Sequence, residues 1–257
     1  MKKDGTAVLN ADIPEYAALK ENCDKQGIRI LSYGIKGADL TIISQKLVPT
    51  GQDVVLRLLG TTYAIHLNIL GDFHLMNFLA AVGLCLGAGL TIDRIMEIAP
   101  TLQAPTGRME AVCRLENGAK IFVDYAHTPD ALSRVLTSLK AHVAGRLICL
   151  FGCGGNRDTS KRPQMGQIAE QTADVVYITD DNPRFEDPAA IRAQIAAACP
   201  KGIVIDNRSR AVFEAVSSLK ENDVLVLAGK GHESGQTIQG VSFAYNDAVE
   251  AKLAALS

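Results

Sequence analysis

The spacing of apolar residues changes character near residue 100. In the first part, Thr6 to Leu9 is a short apolar strand that runs into the turn formers Asn10, Ala11 and Asp12; Pro14 to Gln26 reads as a helix and Ile28 to Tyr33 as a strand. Asp39 to Leu47 and Asp53 to Leu59 alternate apolar with polar residues and Thr62 to Leu67 follows, so a period of two predicts a small antiparallel sheet. Gly71 to Gly89 is nearly all apolar after Asn77, and Thr91 to Ile98 has the acidic first turn of a helix. Two helices packed closely through Ala80, Ala81, Gly83 and Gly87 fit that pattern. Ala99 to Gly107 carries Pro100, Thr101, Pro105 and Thr106, which predicts a linker.

Beyond it the pattern is a regular alternation. Strands are expected at Ala111 to Leu115, Ala119 to Tyr125, Arg146 to Phe151, Asp174 to Thr179, Gly202 to Asp206 and Asp223 to Ala228. Helices are expected at Pro129 to Val143, Pro163 to Thr172, Pro188 to Ala198, Ser209 to Leu219 and Asn246 to Leu256. Short apolar strands separated by helices signify an α/β domain with a mostly parallel sheet covered on both faces. Ligands bind such sheets beyond the carboxyl ends of the strands, so the residues that follow each strand matter most.

Four such segments carry chemistry. After the Ala119 strand come Asp124 and His127, three residues apart, ahead of a helix starting at Pro129. Either both face a ligand over the helix N-terminus, or Thr128 caps the helix and His127 packs beneath it. After the Arg146 strand comes Gly152-Cys153-Gly154-Gly155-Asn156-Arg157, with Lys161 and Arg162 close behind: glycines allow close backbone approach and the cations suit an anion. After the Asp174 strand, Asp181-Asn182-Pro183-Arg184 sets an amide and a guanidinium on a stretch stiffened by proline, suited to a carboxylate. After the Asp223 strand, Gly229-Lys230-Gly231 permits close approach and Glu233 can receive an ammonium group. Arginines for carboxylates and a glutamate for an amine are the charge pattern of an amino-acid site.

Composition narrows the classes. With 257 residues, 26 Lys+Arg against 28 Asp+Glu and 47% hydrophobic residues, the chain can bury a core and has no single-sign surface for nucleic acid or a membrane face. The basic start Met1 to Asp4 is followed by no signal core and no apolar run reaches the roughly 18 residues a bilayer span needs, so the expectation is a cytoplasmic protein. Six cysteines without a Cys-x-x-Cys pair argue against a disulfide framework or a zinc site, and Cys85, Cys149 and Cys199 are expected to be buried. Neither the dinucleotide Gly-x-Gly-x-x-Gly pattern nor a P-loop is present.

The strings DYAHTPDAL (Asp124 to Leu132), FGCGGNRD with KRP (Phe151 to Pro163), TDDNPR (Thr179 to Arg184) and AGKGHE (Ala228 to Glu233) closely resemble, in order and spacing, the Mur ligases of the diaminopimelate-adding type. VLNAD (Val8 to Asp12), GDFHLMNFLAA (Gly71 to Ala81) and GRME (Gly107 to Glu110) extend the resemblance over the chain. It implies an ATP-dependent acid–amino-acid ligase of peptidoglycan synthesis that uses ATP and Mg2+. A D-glutamate carboxylate of UDP-MurNAc-L-Ala-D-Glu is phosphorylated and the amine of meso-2,6-diaminopimelate attacks it. Carried over by motif, Arg157, Asp181, Asn182, Pro183, Arg184, Gly229 and Glu233 would bind diaminopimelate, and Asn77, Arg108, Asp124 and His127 would contact ATP. Two positions depart from the family pattern: His74 and Asn156 stand where asparagine and aspartate are usual.

The family's P-loop, magnesium carboxylate and UDP-binding domain have no counterpart in this sequence. The resemblance therefore implies residues 1–104 as the rear part of a P-loop-type central α/β domain and 105–257 as a Rossmann-like C-terminal domain that binds the amino acid. The first part is expected to be the less stable, since a partial sheet exposes an edge. The same reading implies a chain that is catalytically incomplete alone. The alternative is a non-catalytic amino-acid-binding module working with a separate ATP-domain partner.

Overall fold

The computed structural model describes residues 5–48 and 50–257; the basic start Met1 to Asp4 lies outside the described residues. The chain forms two compact units, Met1–Gln103 and Ala104–Ser257.

In the first unit, β1 (Thr6–Asn10), β2 (Arg29–Gly34), β3 (Leu40–Val48), β4 (Gly51–Leu58) and β5 (Thr61–Leu67) form one sheet in that order. β1 pairs with β2, and β2 with β3, in parallel; β3–β4 and β4–β5 are antiparallel. The expected antiparallel sheet is thus one half of a mixed sheet. The helix α1 (Tyr16–Lys25) crosses over between β1 and β2, as a parallel pair requires. The long helix α2 (Asp72–Gly87) contacts β1 and β2 far more than α3 (Ile92–Ile98). Its small residues explain why. A Cβ on Gly83 would lie 2.5 Å from Val8, and one on Gly87 3.2 Å from Thr6, so these glycines bring the helix onto the sheet and not onto α3. Asp12, from the VLNAD string, accepts the amides of Ile35 and Lys36 at 2.8 Å and closes the turn after β2.

In the second unit six strands run in the order β10-β9-β8-β11-β7-β6, with ranges β6 Glu110–Arg114, β7 Lys120–Asp124, β8 Leu147–Phe151, β9 Val175–Ile178, β10 Ile203–Val204 and β11 Val224–Ala228. All pairs are parallel except β6–β7. Every residue of β8 and β11 is buried, which explains their unbroken apolar sequences. On one face Ile121, Val123, Ile148, Leu150, Leu225 and Leu227 pack against Val212, Ala215 and Val216 of α7 (Arg208–Ser217) and Ala251 of α8 (Asp247–Ala255). At roughly 1.5–3 kcal/mol for each fully buried aliphatic side chain, this layer is a large source of the unit's stability. The helices α4 (Pro129–Lys140), α5 (Lys161–Thr172) and α6 (Pro188–Ala196) follow β7, β8 and β9. Thr128 caps α4, its hydroxyl accepting the Ala131 amide at 3.4 Å with Pro129 in the first turn, an arrangement worth about 1 kcal/mol.

A hairpin, β12 (Gly235–Ile238) with β13 (Val241–Ala244), stands apart from the main sheet, in a stretch for which the sequence pattern had predicted no element. Its short strands are half-buried or exposed, so apolar burial leaves little trace in the sequence.

Candidate functional site

The loops after β7, β8, β9 and β11 meet at one end of the six-stranded sheet. Arg157, Asp181, Asn182, Arg184, Gly229 and Glu233 line a cleft of about 370 Å³ there, joined by His127 and Lys161. A second hollow of about 440 Å³ lies beside the hairpin, lined by Thr237, Ser242 and His232, and shares Asn182, Arg184 and Glu233 with the first. Those three residues are therefore the wall between two openings.

Arg184 is held as a rigid cation. Its φ of 54° is in the left-handed region, which costs an L-residue about 1–2 kcal/mol and persists only when neighbours impose it. The hairpin imposes it: Arg184 N donates to Thr237 O at 3.0 Å, and Gln239 N donates to Arg184 O at 2.6 Å. The guanidinium donates through Nη1 to Gly155 O at 2.8 Å. Its Nε and Nη2 make no hydrogen bond to the described residues and are available to a carboxylate. Pro183 is buried and its carbonyl accepts the Glu186 amide at 3.0 Å. It shapes the turn but does not line the cleft.

Lys230 is the residue that sequence reasoning missed. Its side chain is fully buried, and Nζ donates to Asp181 Oδ1 at 3.3 Å, Asn182 Oδ1 at 3.2 Å and Glu233 Oε2 at 3.1 Å. Gly229 and Gly231 on either side have φ of 110° and 53°, so the chain reverses sharply around it and turns the side chain inward. Asn182 completes the network: Nδ2 donates to Glu233 Oε2 at 3.0 Å and Oδ1 also accepts Thr237 N at 2.9 Å. Asn182 therefore positions Glu233 and has little capacity left for a ligand. The signal was present in Gly-Lys-Gly after a buried strand, where a lysine needs buried acceptors.

The glycine-rich loop is fixed from below by Arg162, which is buried and donates to Glu186 Oε2 at 2.9 Å, Gln194 Oε1 at 2.9 Å and Gly154 O at 3.3 Å. Asn156, with φ 52°, adopts the left-handed conformation that asparagine tolerates, and its side chain accepts the Phe185 amide at 3.1 Å. Arg157 is tethered through the backbone carbonyl of Asn156 at 3.2 Å, so the asparagine side chain at 156 does not hold it. Burial pushes the Cys153 thiol up to about 12, which makes it inert in this loop.

At the end of β7, Asp124 faces the backbone and not the cleft. Its Oδ2 accepts the Met109 amide and its Oδ1 the Ala126 amide, both at 2.7 Å. Burial raises its pKa, and the two amide bonds and nearby Arg108 only partly oppose this. Arg108 is exposed, with its guanidinium 4.8 Å from the centre of the Tyr125 ring. His127 is half-buried and its Nδ1 lies 2.8 Å from Tyr125 O. Lys161 Nζ donates to His127 O at 2.7 Å. Arg108 and His127 thus offer donors fitting the anionic part of a nucleotide, while both Asp124 oxygens are already occupied. Asn77 is exposed on α2 in the other unit. Among the described residues no group of three or more His, Cys, Asp or Glu is placed to hold a metal ion, so the donors here do not fit Mg2+.

The Mur ligase, glutamate ligase domain model matches residues 107–231 and the Mur ligase middle domain model matches residues 1–85. The chain belongs to the Mur ligase family. It is 44% identical over 247 residues to the UDP-N-acetylmuramoyl-L-alanyl-D-glutamate--2,6-diaminopimelate ligase of Caulobacter vibrioides, covering 95% of this chain and 50% of that protein. It is 51% identical over 189 residues to the ligase of the same name from Ectopseudomonas mendocina, covering 72% of this chain and 38% of that protein. A solved structure of a ligase of this name superposes with a TM-score of 0.71 at 34% identity, over 98% of this chain and 53% of that one. A MurF ligase from Thermotoga maritima in complex with ADP, at 18% identity and TM-score 0.67 over 88% of this chain and 50% of that one, shows the shared fold. This Mur ligase chain spans about half the length of the curated relatives it matches.

Proposed function

We propose that the cleft of this Mur ligase chain receives meso-2,6-diaminopimelate for ATP-dependent joining to UDP-MurNAc-L-Ala-D-Glu. The observation that carries the reading is the juxtaposition of a rigid Arg184 with two unused donor positions and a Glu233 fixed through one oxygen, on one 370 Å³ cleft. Glu233 Oε2 takes two hydrogen bonds from Lys230 and Asn182, and Oε1, which has no hydrogen-bond partner among the described residues, receives an ammonium group. Arg184 takes the distal carboxylate, and Arg157 a carboxylate at the more exposed end. Lysine lacks the distal carboxylate, so a lysine complex would leave Arg184 without its anion.

Bound ATP would supply the phosphoryl group that activates the D-glutamate carboxylate. Arg108 and His127 would hold its anionic end. Asp124 serves that site indirectly, by anchoring the Met109 amide beside Arg108. The half of the relatives' length that this chain does not match, in the same polypeptide or in a partner chain, would bring the UDP-linked substrate. Among the described residues no helix is long and apolar enough to cross a membrane. A cytoplasmic reaction is part of the proposal, supported by the solubility of the proposed substrates.

Calorimetric titration of the chain with meso-diaminopimelate, lysine and D-alanine tests the reading. Diaminopimelate should bind and the other two should not; equal binding of lysine would overturn it.

A further inference from the structure

We infer that Lys230 is a positioning residue that sets the charge of the amine end of the cleft, and so selects a ligand carrying one ammonium group there. The inference rests on the reading of the cleft as an amino-acid site and goes beyond it, since Lys230 itself is out of reach of a ligand.

Three observations support it. Lys230 is fully buried, yet its three donors end on Asp181, Asn182 and Glu233, residues that all line the cleft. A buried ammonium is tolerated only with such complete pairing. The charges also leave a defined remainder: two carboxylates against one ammonium is a net charge of −1, which one ligand ammonium neutralises. Finally, the other charged groups around the cluster are held by partners of their own, and Arg208, though paired with Asp247, also acts on Asp181 from a distance. Arg184 is anchored on Gly155 O, Lys161 on His127 O, and Arg208 is paired with Asp247. His232 stacks near Tyr125, with ring centres 5.5 Å apart, and Tyr245 lies under Lys230 with its hydroxyl donating to Asp247. Lys230 is thus the cation in direct contact with both Asp181 and Glu233.

Removing it has a consequence that a purely structural lysine would not share. Two carboxylates that had shared one ammonium repel each other, and one of them takes up a proton. Ligand ammonium binding must then expel that proton. Calorimetry of the 257-residue chain with meso-diaminopimelate, at pH 7 in two buffers of different ionisation enthalpy, counts it. The parent should release none. Lys230→Met should bind at least about tenfold more weakly and release close to one proton. The charge-compensated double variant Lys230→Met/Asp181→Asn restores the net −1, and should bind more tightly than Lys230→Met with no proton released. If Lys230→Met fails to melt cooperatively, the double variant decides alone, and its failure to bind while folded overturns the inference. A folded Lys230→Met with unchanged affinity, or weakened without proton release and not rescued by Asp181→Asn, also overturns it. A parent chain that binds no diaminopimelate overturns the amino-acid reading of the cleft, and the role of Lys230 with it.

Discussion

Arg184 N donates to the carbonyl of Thr237 at 3.0 Å, and through this bond a small hairpin holds the cation of the cleft in a left-handed conformation. Thr237 returns the connection through its own amide, which donates to Asn182 Oδ1 at 2.9 Å. The β12–β13 hairpin is thus a support for the site, although it buries little of itself.

Replacing Thr237 by proline removes the amide donated to Asn182, while the hydrogen-bonded pairs of the hairpin on either side of it remain. The loss of one part-buried hydrogen bond, whose acceptor still holds Lys230, amounts to about 0.5–1.5 kcal/mol, or roughly twofold to tenfold in diaminopimelate affinity. The main sheet does not involve this hairpin, so its far-UV circular dichroism and melting temperature should change little. Calorimetry alongside a thermal melt checks both.

Behind the cleft, Arg208 pairs with Asp247 at 2.8 and 2.7 Å and also donates to Ala228 O at 3.0 Å, with both side chains wholly buried. Arg208→Met leaves Asp247 buried with only the Tyr245 hydroxyl, and should cost about 3–5 kcal/mol. For a unit of this size that is a fall of roughly 10 °C in melting temperature, measurable by calorimetry. Adding Asp247→Asn should recover part of the loss.

Asp223 gives the acid dependence of stability a defined source. Burial alone would raise its pKa, but hydrogen bonds from the Arg146 side chain, from Arg146 N and from Lys220 N outweigh it and hold the carboxyl below its ordinary 3.8. Since the folded value lies below the unfolded one, the stabilisation is complete above 3.8 and disappears as pH falls through the lower folded value. Asp223→Asn should therefore be less stable than the parent by about 1–3 kcal/mol at pH 7, with the gap closing as pH falls below 3.8. Urea melts across pH 2.5 to 7 follow this directly.

The thiols divide by burial. Cys149, Cys153 and Cys199 are buried, and Cys153 and Cys199 are pushed up to about 12. Iodoacetamide at pH 8 should modify Cys23, Cys85 and Cys113 in the native chain and spare the other three until urea is added. Mass spectrometry of the peptides reads the pattern. Cys85, expected to be buried from its apolar surroundings, is half-exposed because α2 presents only one side to the sheet.

The parallel core was legible because β8 and β11 are buried on both faces and read as unbroken apolar runs. The clustering of Arg157, Arg184 and Glu233 was legible because each follows a strand at the same end of the sheet. The hairpin was not, since Gly235 to Ala244 buries too little to leave a period of two. The place of Gly83 and Gly87 was misjudged because small residues announce a close approach without saying to what, and here it is β1. Asp124 could not be assigned from sequence alone: its position after a strand suits a ligand, but the Met109 and Ala126 amides reach it first.

Arg184 is the proposed selector of the distal carboxylate of diaminopimelate. A two-by-two calorimetric titration tests it most directly: parent and Arg184→Ala, each with meso-diaminopimelate and with lysine. The parent should prefer diaminopimelate by at least about a hundredfold, and Arg184→Ala, folded by circular dichroism, should lose nearly all of that preference. A preference that survives the substitution unchanged would contradict it.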